Sequence, residues 1–299
     1  MNLTTVHVPV LLQETIDGLH LGEGMVVFDG TAGGGGHARL ICEKIGPGGH
    51  YIGVDLDISA LERTKHALQS ALCKKSFIAG SYRDLDSILA KEGVSSLDAC
   101  LFDLGFSSDQ LEQSGRGFSF LRDEPLSMSY RESSPDEALT AYDIVNTFER
   151  ENLLLILKNY GEEKFSERIV NAILEARRKA KIESTFDLVR IIEGAVPAFV
   201  RKGKQHPATK TFQAIRMAVN DELTNIRLAI PKAFDLLKAG GRMGVITFHS
   251  LEDRIVKNIF RDFKRADKGK VGKIVKPAFA EVKHNPRARS AKLRIIEKI

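Results

Sequence analysis

Residues 28–38 read FDGTAGGGGHA, an acidic residue ahead of four glycines with a histidine behind them. A stretch this bare of side chains lets backbone come close to a ligand. Gly33-Gly34-Gly35-Gly36-His37-Ala38 fits G-x-G-x-x-A, and Asp55 follows about 20 residues on, the formal fingerprint of a dinucleotide site. Four consecutive glycines satisfy many patterns. A P-loop is excluded, because no Gly-Lys-Ser/Thr follows. The charge of the ligand separates the remaining readings. A pyrophosphate at a helix N-terminus wants donors and a positive field, which the carboxylate of Asp29 opposes. S-adenosylmethionine carries an ammonium, a sulfonium and a ribose but no phosphate, so Asp29 suits its cationic part. Asp55 suits ribose hydroxyls in either case. The plainer reading of Asp29 is a turn cap that accepts backbone N–H groups.

A second acidic cluster, DLGFSSDQ at 103–110, opens on Asp103. The lone pair of a nucleobase amine is delocalised into the ring. Methylating it requires an acceptor that holds the amine hydrogens while the nitrogen turns toward the methyl group. Asp103-Leu104-Gly105-Phe106 offers the acid and the aromatic of such a device without its prolines, and Asp-x-Gly is also a common turn. Methylation of a ring carbon needs a thiolate in an exposed, electropositive place. Cys100 lies inside an apolar run and Cys73 closes a helix-like segment, so that chemistry is disfavoured. FHSLEDR (248–254) brings His249, Ser250, Asp253 and Arg254 together, yet it lacks the G-x-S-x-G of a nucleophile elbow. Substrate contact and loop fixing are both open there. In HPATKTFQ (206–213), Thr209 or Thr211 could cap a helix, while His206 and Lys210 could face substrate phosphates.

Positioning these residues takes a particular architecture. MVVFDG (25–30), YIGVDLD (51–57), SFIAGSY (76–82) and LDACLFDLG (97–105) are short apolar runs. Helix-like segments separate the first three, which predicts a parallel, doubly wound α/β sheet. The runs end in Asp29, Asp55, Tyr82 and Asp103, and ligands of such sheets bind at strand C-termini. From about 107 the pattern breaks into a long loop and then helices. Ser134–Glu137 and Ser184–Asp187 look like capped starts. Phe212, Ile215, Val219, Leu223 and Ile226 predict one helix with one buried face. DLLKAGGRMGVITFHS then returns as helix end, glycine stop and buried strand. The expected division is a discontinuous sheet domain, 1–106 with 214–299, around a helical insertion at 107–213.

The net charge of +5 is unevenly spread. Residues 254–299 hold fifteen lysines and arginines against four acidic residues, so the rest of the chain is net negative. A basic tail suggests a polyanionic partner, because neutralising phosphates releases counterions. The apolar runs are far shorter than a membrane span. The first residues lack the basic start of a signal peptide, and three scattered cysteines fit neither a disulfide set nor a metal site. A cytosolic protein without a metal is expected; oligomeric state leaves no mark in the sequence.

HVPVLLQE (7–14), FDGTAGGGGHA, DLGFSSDQL, GRGFSF (115–120), HPATKTFQAIRMAVNDEL (206–223), GGRMGVITFHSLEDRIVK (240–257) and NPRARSAKLR (285–294) occur in this order. Together they resemble the bacterial ribosomal RNA small subunit methyltransferase H family, also called MraW. The resemblance implies a Rossmann-like, class I S-adenosylmethionine-dependent methyltransferase sheet with an inserted all-helical domain. It also implies methylation of N4 of a cytosine in the decoding region of 16S rRNA, with the small ribosomal subunit as partner. By motif match, cofactor contacts fall on Gly34, Gly35, Gly36, His37, Asp55, Tyr82, Asp103 and Gln110. Tyr82 would pack on adenine and Asp103 would also be catalytic. His206, Lys210, His249, Arg254, Arg287 and Arg289 are the expected substrate contacts. Where the family reads PLDMRMD after GFSF, this chain has Pro125-Leu126 followed by Ser127-Met128-Ser129-Tyr130, losing two acids and an arginine. Phe106 also replaces a smaller aliphatic. Two rivals remain at this stage: a nicotinamide-dependent oxidoreductase, and an RNA-binding assembly factor that kept the fold without turnover.

Overall fold

A computed structural model describes residues 9–105, 114–131, 138–203 and 205–299. The four apolar runs form strands β1 (Val26–Asp29), β2 (His50–Asp55), β3 (Lys74–Ala79) and β4 (Leu97–Asp103). Helix α1 (Leu12–Leu19) precedes them, and α2 (Gly36–Ile45), α3 (Ile58–Ala67) and α4 (Leu85–Lys91) cross between them. In α2, Ala38, Ile41, Cys42 and Ile45 turn one face onto Val27, Tyr51 and Leu101 of the sheet, the spacing expected of a core-facing helix. Asp57 caps α3 by accepting the Ser59 and Ala60 N–H groups. With β5 (Leu237–Thr247), β6 (Gly269–Val271) and β7 (Lys292–Lys298) further along the chain, strand pairing gives one seven-stranded sheet of order β3-β2-β1-β4-β5-β7-β6. Its first five strands are parallel. Chain order reverses between β1 and β4, where an open parallel sheet leaves its crevice.

The chain divides into two compact units, residues 1–107 with 223–299, and residues 108–222. The helical unit thus runs through Glu222 rather than ending at 213. The reason lies in the segment expected to be one helix. It is two, α10 (Thr209–Val219) and α11 (Glu222–Leu236), because Asp221 takes a left-handed φ of 49°. Among the described residues the other helices of this unit are α5 (Ala141–Thr147), α6 (Arg150–Asn159), α7 (Ser166–Lys179), α8 (Thr185–Ala195) and the short α9 (Ala198–Arg201). Ser184 and Asp187 form the expected capping box of α8, and Thr140 with Asp143 forms another on α5. The start expected at Ser134 lies outside the described residues. Thr209 and Thr211 do not cap α10; its N-cap position is Ala208, whose N–H donates to His206 Nδ1 at 3.2 Å.

In the sheet unit the expected glycine stop is also displaced. α11 ends at Leu236 and β5 (Leu237–Thr247) begins at once, with an irregularity before Arg242 where Gly240 has a φ of 77°. The two glycines therefore make a bulge within a strand rather than ending a helix. The basic tail folds as α12 (Ser250–Arg265), β6 (Gly269–Val271), α13 (Phe279–His284) and β7 (Lys292–Lys298). β7 runs antiparallel between β5 and β6. These last two strands were not apparent in the sequence, where charge hides their short apolar pattern.

The altered segment 127–130 sits within the helical unit. Tyr130 stacks on Phe118 at 5.5 Å between centroids and donates its hydroxyl to Glu222 Oε1 at 3.0 Å. Glu222 is also gripped by both arms of Arg216, at 2.8 and 2.9 Å, with both side chains about nine-tenths buried. Breaking a buried pair leaves an uncompensated charge, whereas replacing both members by apolar residues does not. Glu222→Ala should therefore lower unfolding free energy in urea by about 3–5 kcal/mol. The double change Arg216→Met with Glu222→Leu should cost clearly less. Equal losses for the two variants would show that the pair contributes packing volume only.

Candidate active site

Three carboxylates gather where β1, β2 and β4 end. Asp29 is 1% exposed; its Oδ1 accepts the Thr31 N–H at 3.1 Å and its Oδ2 accepts the Tyr51 hydroxyl at 2.9 Å. Oδ1 thus serves the turn, in line with the capping reading, while Oδ2 is tied to Tyr51 of β2, so direct contact with a cationic ligand is not needed to explain this residue. Burial drives its pKa up to about 6, opposed by those two donors and reinforced by Asp55. It keeps most of its charge at neutral pH. Asp55 accepts the N–H of Gly33 at 2.9 Å and of Asp57 at 2.9 Å. Burial raises its pKa against those bonds.

The glycine loop is held largely by the protein itself. Thr64 donates its hydroxyl to the Gly33 carbonyl at 2.8 Å, and Asp55 takes the Gly33 N–H. Gly35 has a φ of 81°, and a Cβ there would meet the Thr64 backbone at 3.1 Å. At Gly36 a Cβ would clash with the Pro9 ring. Two of the four glycines are therefore demanded by close packing of α3 and the N-terminal segment. Gly34 stands half-buried in the turn. His37, on the first turn of α2, is buried, and its Nδ1 comes within 3.8 Å of Asp103 Oδ2.

Asp103 differs from the other two acids. Its N–H donates to Thr31 Oγ1 at 2.6 Å, which fixes the backbone, but its carboxyl Oδ1 is buried with no hydrogen-bond partner among the described residues. Burial pushes its pKa up to about 8, and the nearby charges of Asp29 and Glu252 add to the rise. A buried acceptor left open costs free energy, so the site is built for a donor or cation from outside. Tyr82 begins the turn after β3, half-buried and edge-on to Phe102 at 5.6 Å. Gln110 and Phe106 lie outside the described residues.

At the end of β5, His249 is the N-cap of α12. Its Nδ1 accepts the Glu252 N–H at 3.4 Å, while Glu252 accepts the Phe248 and His249 N–H groups. Asp253 binds Lys292 and Arg294, each at 2.8 Å. Burial alone would raise its pKa, but those two donors hold it below the usual carboxylate range. Much of FHSLEDR thus fixes the helix to β7, and Arg254 is exposed one turn on. Arg287 and Arg289 stand exposed on a 3₁₀ turn before β7. In the helical unit, His206 stacks on Phe120 at 4.6 Å and approaches Glu193 at 3.5 Å. Lys210 donates to the Glu162 carbonyl at 3.0 Å. Cys100 is fully buried and its pKa is raised by burial, which removes it as a thiolate nucleophile.

The model of the MraW methylase family matches residues 4–299. The chain belongs to the MraW methylase family. It is 46% identical to the ribosomal RNA small subunit methyltransferase H of Fervidobacterium nodosum, over 98% of this chain and 97% of that one. Against the proteins of the same name from Persephonella marina and Brevibacillus brevis the identities are 43% and 41%, covering 98% of this chain and 99% and 98% of theirs. A solved rRNA methylase from Streptococcus thermophilus overlays with a TM-score of 0.45 at 12% identity, covering 98% of this chain and 99% of that one.

As a MraW methylase the chain is a methyltransferase and S-adenosylmethionine is its methyl donor, which sets aside the nicotinamide reading. The residues present fit that cofactor. An uncompensated acceptor on Asp103 faces a cation better than a phosphate, and the Asp29 charge behind it points the same way.

The buried carboxyl of Asp103 gives a pH signature. It holds a proton in the folded protein up to about pH 8, whereas unfolded it titrates near pH 3.9. Its contribution to stability is complete below the lower value and lost as pH rises through the upper one. An asparagine side chain carries no such charge. Asp103→Asn should therefore match the parent near pH 4 and exceed it by pH 8, by an upper bound of about 5 kcal/mol. A gap between the two melting curves that does not widen with pH would contradict the confinement of this carboxyl beside Asp29 and Glu252.

Proposed function

We propose that this methylase transfers a methyl group to N4 of a cytosine in the decoding region of 16S rRNA, acting on the small ribosomal subunit in the cytoplasm. The observation that carries the chemistry is the open, buried Oδ1 of Asp103 at the end of β4, while the rRNA substrate rests on the likeness to ribosomal RNA small subunit methyltransferases H. Bound S-adenosylmethionine supplies a methyl made electrophilic by its sulfonium. Gly34, Gly35, Gly36 and His37 of the loop, Asp55, Tyr82, Asp103 and Gln110 would hold it, with Tyr82 offering an aromatic face to adenine.

The remaining work falls to the chain's own groups. The target base must leave its stack to enter the site. Asp103 Oδ1 accepts an amine hydrogen and turns the nitrogen lone pair out of conjugation. Methyl transfer leaves an extra proton on that nitrogen, and a carboxylate whose pKa is raised toward 8 is a competent acceptor at physiological pH. A cation beside Asp103 favours the ionised form that does this. No covalent intermediate forms. His249, Arg254, Arg287 and Arg289 of the sheet unit, and His206 and Lys210 of the helical unit, are proposed to contact the RNA. The absence of a membrane-crossing helix among the described residues is compatible with this setting.

Transfer of labelled methyl from S-adenosylmethionine to small-subunit particles tests the reading. Asp103→Asn should lower kcat by about 100-fold or more, in the range of general-base contributions. Cofactor binding should weaken much less than that. Full activity in the variant would remove Asp103 from the chemistry, and saturable RNA binding without any transfer by the parent would favour an assembly factor.

A further inference from the structure

Between β6 and β7 the sheet unit carries a small lobe, residues 272–291, with five lysines and arginines and one acid, Glu281. That acid is engaged: its Oε1 accepts the Leu11 N–H at 2.8 Å. The lobe is seated through Ala288, which is fully buried with Val10, Leu11, Ile246 and Leu293, and Phe248 packs on the same cluster. The Phe248 ring also lies where a Cβ on Gly105 would meet it at 3.3 Å. The lobe is therefore fixed beside the edge of the sheet that carries Asp103, two residues before Gly105. Yet Phe279, the first residue of α13, is 85% exposed, the most exposed large hydrophobic residue described. Lys283 stands four positions on, on the same helix face, and Lys276, Arg287 and Arg289 flank it in the lobe.

An exposed aromatic ring in a lobe that is rich in lysine and arginine and whose one acid is engaged suits a polyanion with exposed π faces. Unpaired RNA has both, since bases stack on aromatics while the backbone meets lysine and arginine. We propose that Phe279 is a stacking platform for an unpaired nucleotide of the substrate RNA, with Lys283 and Arg289 neutralising the phosphates beside it. The inference rests on the methyltransferase reading above and adds a subsite to it. It makes the lobe a binding element, not a part of the chemistry.

The test uses the full chain, with RNA binding measured on protein-free 16S rRNA and methyl transfer on small-subunit particles. Stacking on one base corresponds to roughly 5- to 100-fold in affinity. Phe279→Ala should raise Kd for RNA and KM for particles by about that much, while kcat at saturating particles and binding of S-adenosylmethionine stay put. Phe279→Trp should restore both constants. Lys283→Ala and Arg289→Gln should each flatten the salt dependence of RNA binding by about one unit of slope. Leu72→Ala, at another exposed apolar residue, should change nothing. Unchanged RNA binding in Phe279→Ala overturns the inference, and so does a defect seen on assembled particles but absent on protein-free RNA, which would mark a protein-docking face. If the parent binds RNA with Phe279 dependence but transfers no methyl group, the enzymatic reading fails and the platform stands.

Discussion

The structure depends on how three carboxylates are accommodated at one sheet edge. Asp29 and Asp55 are each answered from within, by backbone N–H groups and the Tyr51 hydroxyl. The Oδ1 of Asp103 is not, although His37 stands 3.8 Å from its Oδ2, and both neighbouring charge and burial make its ionisation costly. A site with one uncompensated acceptor in a ring of acids is stable only as a compromise, since a buried polar group without a partner costs free energy. That cost is what makes the site selective: a cation and an N–H donor relieve it, and a phosphate would worsen it. Folding and ligand choice thus meet in one carboxyl group.

The same arrangement changes what the glycine loop means. Its bareness invites the idea of a phosphate cradle. In the structure Gly35 and Gly36 are bare because Thr64 and Pro9 press against them, and Gly33 is tied to Asp55. The loop is a rigid joint between β1, α2 and α3, made by protein contacts before any ligand arrives. Its residue types were legible in the sequence, as was the alternation that places Asp29, Asp55, Tyr82 and Asp103 at strand ends. What could not be read was which acid is spent on the fold. That depends on the Tyr51 hydroxyl reaching Asp29 from β2, a contact no local spacing reveals.

Charge misleads in a related way. The basic tail reads as one surface, but Lys292 and Arg294 are consumed by Asp253, Arg242 reaches back to Glu297 on β7, and Lys298 bonds the Asp235 carbonyl. These contacts stitch an antiparallel strand onto the parallel sheet, and a count of charges cannot separate them from groups left for a partner. The strand itself was missed for the same reason: KLRIIEK alternates imperfectly and its buried positions, Leu293 and Ile296, are few. The break at Asp221 was hidden too, because an unbroken apolar period runs straight through a left-handed residue.

The segment that departs from the family pattern is instructive on the same ground. Losing two acids and an arginine at 127–130 looks like the loss of a function. Yet the segment is held mainly through its backbone: Met128 N–H donates to the Arg116 carbonyl, Tyr130 N–H to Asn220 Oδ1, and Asn220 Nδ2 to the Met128 carbonyl. Ser127 and Leu126 in turn accept the first N–H groups around α5. Backbone bonds of this kind tolerate exchange of side chains, provided that one residue still supplies an anchor. Tyr130 does so, with its ring on Phe118 and its hydroxyl on the Arg216-bound Glu222. An aromatic anchor joined to a buried ion pair seats the segment. The segment therefore belongs to how the helical unit is held together.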